Sequence, residues 1–118
     1  MAGSILVVVE DLFFFSRIQQ TAQQLGVSIE PAPPEKLLER LRQGPARAIF
    51  VDLNHRSGLA LDSIRELKSE GIAVPVIGFL SHVQGDLAAA ARAAGCDRVM
   101  ARSAFTQKLS ELLLSAEC

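Results

Sequence analysis

The sequence lacks tryptophan and tyrosine, and phenylalanine supplies all six of its aromatic residues. Apolar residues nevertheless make up 49% of the chain, which is enough to fill a packed interior. Any core must therefore be mainly aliphatic. A length of 118 residues lies within the usual size range of a single core. We predict one domain spanning residues 1–118.

Other absences narrow the possible functions. The net charge is −1 and no basic run occurs, so nothing favours nucleic acid as a partner. No apolar stretch approaches the roughly 20 residues that cross a bilayer, and Met1–Ser4 does not resemble the start of a signal peptide. The two cysteines, Cys96 and Cys118, form no metal-type pair. We expect a cytoplasmic protein without a nucleic acid or membrane partner.

Strand and helix patterns alternate along the chain. Five apolar segments predict strands: Ile5–Val9, Val27–Ala32, Ala48–Leu53, Val74–Leu80 and Arg98–Ala101. Apolar residues at helical spacing lie between and after them, and Ser103 is a plausible N-cap of the last helix. This alternation predicts a doubly wound α/β fold, with a parallel sheet covered by helices on both faces.

Two of the predicted strands run into acidic residues. Ile5–Asp11 ends in Glu10 and Asp11, and Ala48–Asn54 contains Asp52. In open α/β sheets the ligand crevice lies at the carboxyl ends of the strands, so these carboxylates would meet at one edge. Clustered carboxylates need a cation or a raised pKa, and oxygen ligands suit Mg²⁺. The alternative is that Glu10 and Asp11 solvate a strand end and cap the following helix.

Four segments carry a resemblance to a known family. With Ile5–Asp11, Val51–Leu53, Val74–Gly78 and Ala94–Asp97, the sequence resembles the CheY-like receiver domains of bacterial response regulators over essentially its whole length. The resemblance implies a flavodoxin-like three-layer sandwich whose five parallel strands follow the order 2-1-3-4-5. It also implies a module of two-component phosphorelay signalling and not an enzyme.

The resemblance assigns roles to the acidic residues. Asp52 would be the phosphoacceptor that takes a phosphoryl group from a histidine kinase. Glu10, Asp11, Asp52 and the backbone carbonyl of Asn54 would hold Mg²⁺. A carboxylate is a competent nucleophile toward phosphorus, and Mg²⁺ would neutralise the charge that develops on the phosphoryl oxygens.

Three residues depart from the family pattern. Leu80 stands where the family has a switch Thr or Ser, and Ser81, a possible hydroxyl substitute, should point to the other side of an extended strand. Arg102 occupies the Lys position, where it keeps the charge with a different geometry. Val99 replaces the aromatic switch residue. The departures favour an atypical receiver or pseudo-receiver.

Two functions therefore remain open. One is a stand-alone receiver phosphorylated at Asp52, and the other is an unphosphorylated pseudo-receiver that acts as a protein interaction module. Both would bind a histidine kinase or another signalling protein. The alanine-rich Leu87–Ala94 would permit a homodimer. Because Phe15 fits the inner helical stripe with Ile18, we expect Phe13 or Phe14 to be partly exposed beside the acidic site.

Overall fold

The computed structural model describes residues 3–55, 57–81 and 85–115. Its strands are β1 Ile5–Val8, β2 Ile29–Pro31, β3 Ala48–Asp52, β4 Val76–Leu80 and β5 Arg98–Ala101. They form one parallel sheet in the order β2-β1-β3-β4-β5, which confirms the predicted fold class. A 3₁₀ turn at Pro34–Lys36 precedes the second of six α-helices, which are α1 Leu12–Leu25, α2 Leu37–Gln43, α3 Ala60–Ser69, α4 Gly85–Ala94, α5 Arg102–Gln107 and α6 Leu109–Ser115.

Strand register brings the carboxyl ends of the strands to one edge of the sheet. Val8 of β1 lies opposite Val51 of β3, and Asp52 lies opposite Phe79 of β4. The last residue of β4 pairs with the last residue of β5. This carboxyl edge is where the sequence predicts the site.

The two faces of the sheet bury different side chains, because successive residues of a strand point to opposite faces. One face, the aliphatic layer, packs against α2, α3 and α4 and contains Leu6, Val8, Ile49, Val51, Leu37, Ile64, Leu67 and Leu80. The other face, the aromatic layer, packs against α1, α5 and α6 and contains Ile5, Val7, Ile18, Leu109, Leu112 and the rings of Phe14, Phe50, Phe79 and Phe105.

The rings of the aromatic layer form a connected cluster. Phe79 and Phe105 are stacked with centroids 4.5 Å apart, and Phe50 meets Phe105 edge-on at 5.3 Å. Phe14 of α1 meets Phe79 edge-on, also at 5.3 Å. Offset and edge-to-face arrangements are the favoured geometries of aromatic pairs. The few aromatic residues are thus concentrated on one face.

The first helix turns two of its three consecutive phenylalanines toward the sheet. Phe14, Ile18 and Ala22 are its buried residues, whereas Phe13 is exposed. Phe15 is partly buried and packs against the aromatic layer, as its place on the inner stripe predicts, but the ring that faces fully inward is that of Phe14. Spacing by four residues from Phe14 gives an equally good stripe, and a run of three phenylalanines does not identify which one faces inward.

Several boundaries also differ from the prediction. β2 covers Ile29–Pro31 only, and Val27 instead closes the turn after α1 by donating its N–H to the Ala22 carbonyl. β4 begins at Val76 rather than at residue 74. The last helix begins at Arg102, one residue before the expected cap, and is interrupted at Lys108.

One glycine of β4 lies directly beneath the chain segment that follows Asp52. A Cβ atom on Gly78 of β4 would lie 2.9 Å from the Cδ1 atom of Leu53, closer than carbon atoms normally approach. The absence of a side chain at Gly78 therefore lets Leu53 bury itself against the sheet immediately after Asp52. This contact holds the chain that leaves β3 close to the sheet.

Cys96 is buried in the aliphatic layer, and burial raises the pKa of its thiol to about 11. A buried thiol whose pKa is raised is a weak nucleophile. Cys118 lies outside the described residues. Across residues 3–55, 57–81 and 85–115, no helix combines the length and apolar character that a membrane span requires.

Candidate functional site

Asp11 follows β1 and caps the helix that comes after it. Its Oδ1 atom accepts hydrogen bonds from the backbone N–H groups of Phe13, at 2.9 Å, and Phe14, at 3.2 Å. The bond from Phe14 is the main reason that the pKa of Asp11 is lowered, and Arg102 adds to the effect. The capping role that the sequence left as an alternative is therefore present at Asp11.

Arg102, at the first position of α5, faces Asp11 across the edge. One Nη atom lies 3.3 Å from Asp11 Oδ2. The guanidinium carbon lies 4.0 Å from the centroid of the Phe14 ring, the geometry of a cation–π contact. The Arg102 main-chain carbonyl accepts the hydroxyl of Thr106, 2.9 Å away. The residue at the Lys position is thus held by an acid, an aromatic ring and its own helix.

Asp52 ends β3 with a partly buried side chain. Its Oδ1 atom accepts the backbone N–H of Asn54 at 2.9 Å, which folds the chain into a tight turn after the strand. Asp52 is therefore at the predicted place on a central strand. In this arrangement one of its two carboxylate oxygens stabilises the loop that follows.

Ser81 turns toward the loop after β3. Its backbone N–H lies 2.8 Å and its hydroxyl 3.2 Å from Oδ1 of Asn54. The neighbouring Leu80 is buried in the aliphatic layer. The hydroxyl considered as a switch substitute is thus engaged by Asn54, and the position that the resemblance aligns with the switch hydroxyl carries an aliphatic side chain.

Some of the predicted site residues contact one another. Asp11 contacts Arg102, and Asp52 is joined through Asn54 to Ser81. Glu10 lies exposed at the end of β1. The structure thus places all the predicted residues at or beside the carboxyl edge, but it joins the acidic residues to different partners.

The donor set does not fit Mg²⁺ in this arrangement. Within the described ranges, no three His, Cys, Asp or Glu side chains form a group that could hold a metal ion. Asp11 directs one oxygen to the helix N-terminus and the other to a guanidinium, so a cation bound to Asp11 would lie beside the positive charge of Arg102. Mg²⁺ binding by Glu10, Asp11, Asp52 and the Asn54 carbonyl stays a prediction.

The head of α1 holds a feature that the sequence only partly indicated. Leu12 and Phe13 are 80% and 90% exposed. Phe13 lines a shallow depression together with Asp11, Phe14, Arg17, Arg102 and Thr106. The expectation that Phe13 or Phe14 would be exposed is met by Phe13, whereas Phe14 is the platform for Arg102. The feature of the sequence that bears on the position of Phe14 is Asp11, because the N-cap fixes where α1 begins.

Comparison with known proteins identifies the fold. No protein-family model matches the sequence, and no curated protein is significantly similar to it. Solved structures do match. A response regulator from Thermotoga maritima superposes with a TM-score of 0.79 at 19% identity, covering 99% of this chain and 98% of its own.

Two further structures agree with that match. The chemotaxis protein CheY4 of Vibrio cholerae gives a TM-score of 0.82 at 13% identity, over 98% of this chain and 99% of its own. The receiver domain of Francisella response regulator 1452 gives 0.83 at 15% identity, over 98% and 96%. The chain therefore has the fold of response regulator receiver domains, which confirms the predicted resemblance at the level of fold.

Proposed function

We propose that this chain is a receiver-type signalling module that acts by binding a partner protein, not as an enzyme, and without a phosphoryl switch. The observation that carries the proposal is the engagement of the two polar groups that could respond to a phosphoryl group. Ser81 is bonded to Asn54, and Arg102 is bonded to Asp11 and stacked on an aromatic ring.

The buried Leu80 adds to this argument. A phosphoryl group on Asp52 would find no hydroxyl at the last residue of β4, because Leu80 has none and is only 3% exposed, and the hydroxyl of the next residue, Ser81, is bonded to Asn54. A hydrogen bond to a charged group contributes about 1.5–3 kcal/mol. Two-state switches are separated by only a few kcal/mol, so losing such a bond removes much of the force that would drive a switch.

The exposed Leu12 and Phe13 support binding of a protein partner. Both lie next to Asp11 at the carboxyl edge, and Arg17 follows Phe13 by one helical turn. Adjacent large apolar side chains at the surface are typical of interaction sites. A partner segment with an apolar side chain beside a carboxylate would match Phe13 and Arg17. A histidine kinase or another signalling protein could supply that segment, and homodimerisation through the alanine-rich α4 stays a prediction.

A phosphorylated receiver is the second candidate, and the position of Asp52 favours it. Asp52 ends the central strand β3 at the carboxyl edge, where open α/β sheets have their ligand crevice, and its side chain is only partly buried. In this case a histidine kinase would be the partner and Mg²⁺ would be required.

Intact mass separates the two candidates. The protein would be incubated with Mg²⁺ and a small-molecule phosphodonor, beside the Asp52→Ala variant and an ordinary receiver as a positive control. We expect the positive control to gain a phosphoryl group and the wild type to gain none. A phosphoryl adduct that is present in the wild type and absent in Asp52→Ala would establish the second candidate instead.

Binding is tested with a matched pair of surface variants. Phe13→Ser removes the exposed ring, and Leu114→Ser changes a side chain that is 48% exposed in the last turn of α6. Both would be titrated against purified histidine kinases and histidine phosphotransfer domains from the same genome. We expect one of them to bind the wild type and Leu114→Ser alike, and Phe13→Ser about tenfold more weakly. Equal binding by both variants, or no binding by any candidate, would contradict the proposed surface.

A further inference from the structure

We infer that Arg102 is the built-in counter-cation of Asp11, and that its guanidinium closes this acidic edge to divalent metal ions. The inference deepens the proposed function and rests on it, because a site closed to Mg²⁺ explains why a receiver fold would work by binding alone. Mg²⁺ affinity is measured separately from phosphorylation and partner binding, so failure of the inference can be distinguished from failure of the proposed function.

Both oxygens of Asp11 are in use. Oδ1 accepts the N–H groups of Phe13 and Phe14, and Oδ2 faces the Arg102 guanidinium at 3.3 Å. Mg²⁺ binds proteins through one or two carboxylates and keeps several waters, so it would need Oδ2 or a new orientation of the cap. Either change leaves the guanidinium beside a doubly charged ion, and like charges at this range repel.

The aromatic layer holds Arg102 in place. Its guanidinium lies over Phe14, and Phe14 is buried against Phe79, with centroids 5.3 Å apart, and Phe105, at 6.0 Å. A planar guanidinium stacks on an aromatic face, whereas the ammonium of Lys is a compact, strongly hydrated charge. The arginine at position 102 and the inward orientation of Phe14 therefore act together, because the ring gives the guanidinium a second contact at this edge.

The main chain of Arg102 is fixed as well. The residue begins α5, and its carbonyl accepts the Thr106 hydroxyl. Movement of the guanidinium away from Asp11 must therefore come from the side chain alone. Such movement would give up the ion pair and the ring contact together.

A Mg²⁺ titration followed by amide chemical shifts tests the inference without any activity. The variants would be Arg102→Met, which keeps an apolar stem over Phe14, Arg102→Lys, which keeps the charge, and Arg102→Met with Asp11→Asn, which removes the carboxylate. Arg40→Met is the matched control, because Arg40 pairs with Glu30 away from the carboxyl edge. Thermal unfolding would establish that each variant is folded.

We expect Arg102→Met to bind Mg²⁺ at least about tenfold more tightly than the wild type, with shifts at Phe13 and Phe14, and Arg102→Lys to lie between them. The double variant should lose the gain, and Arg40→Met should match the wild type. Equal affinities of Arg102→Met and the wild type, or a gain that survives Asp11→Asn, would overturn the inference. Failure here, with no phosphoryl adduct on the wild type, would leave the proposed function intact.

Discussion

The two faces of this sheet are built from different side chains, and the difference extends into the site. The aromatic layer gathers four phenylalanine rings into one contact cluster, whereas the buried residues of the aliphatic layer include no aromatic side chain in the described part of the protein. At the carboxyl edge each layer ends in an apolar residue of its own. On the aromatic face this residue is Phe14, which lies beneath Arg102, and on the aliphatic face it is Leu80.

This comparison shows how packing determines which groups a site contains. On the aliphatic face, apolar packing extends to the end of β4, so that the last residue of the strand, Leu80, is buried and offers no hydroxyl. On the aromatic face, the ring cluster extends outward to Phe14 and gives Arg102 a surface on which to stack. The packed core thus extends to the carboxyl edge on both faces. There Asp11 contacts Arg102 and Asp52 accepts the backbone N–H of Asn54.

The largest effect should come from opening the aromatic cluster. Phe79 is fully buried and contacts two other rings, so Phe79→Ala removes both ring contacts and leaves a cavity. We expect a loss of about 3–5 kcal/mol in the free energy of unfolding, measured with urea. Because phenylalanine is the only aromatic residue type, the near-ultraviolet circular dichroism should lose its fine structure as well.

The matched control lies on the opposite face. Ile64→Val deletes one methyl group from the fully buried Ile64 of α3 and should cost about 0.5–1.5 kcal/mol with the near-ultraviolet spectrum unchanged. If Phe79→Ala cost no more than Ile64→Val, the aromatic cluster would not be a distinct source of stability.

A smaller effect should appear where the aromatic face meets the site. Asp11→Ala removes the cap of α1 and should lower the free energy of unfolding, by less than Phe79→Ala does. Asp11→Asn keeps an oxygen for the N–H groups of Phe13 and Phe14 but loses the charge that faces Arg102. Both variants lose that charge, so high salt, which screens ion pairs, should shrink both deficits and leave a larger residual deficit in Asp11→Ala than in Asp11→Asn. Equal residual deficits of the two variants in high salt would show that Asp11 does not act as a cap.

Much of the fold could be predicted because its strands are short apolar runs with clear ends. The structure has β5 at Arg98–Ala101, as predicted, and β3 ends one residue earlier than the predicted Ala48–Leu53. The order of the strands came from the resemblance, since the alternation alone defines no order. β2 was predicted too long, because Val27 is apolar and buried although it belongs to a turn.

The site was predictable in its location and not in its contacts. Asp52 ends β3 and Arg102 directly follows β5, and parallel strands bring their carboxyl ends to one edge. The direction of the Arg102 side chain depends on Asp11, 91 positions away in the sequence, and on which of three adjacent phenylalanines faces inward. A one-residue change of phase moves a helical side chain by about 100°, so local periodicity could not place Phe14 beneath the guanidinium.

The smallest effect should come from an ion pair between an arginine and a glutamate on the aliphatic face. Arg40 of α2 forms two contacts with Glu30 of β2, at 2.7 and 3.1 Å, and donates to the Gly44 carbonyl. The bond from Arg40 lowers the pKa of Glu30 from its ordinary value of 4.5. The carboxyl is therefore more acidic when folded, and the pair stabilises the protein fully above pH 4.5 and progressively less as the pH falls through the lowered pKa.

Since the pair is partly exposed, we expect Glu30→Gln to cost only about 0.2–1 kcal/mol at neutral pH. Urea unfolding of the wild type and Glu30→Gln from neutral to acidic pH should show the two stabilities converging, and a difference that grew toward acid would contradict this sign.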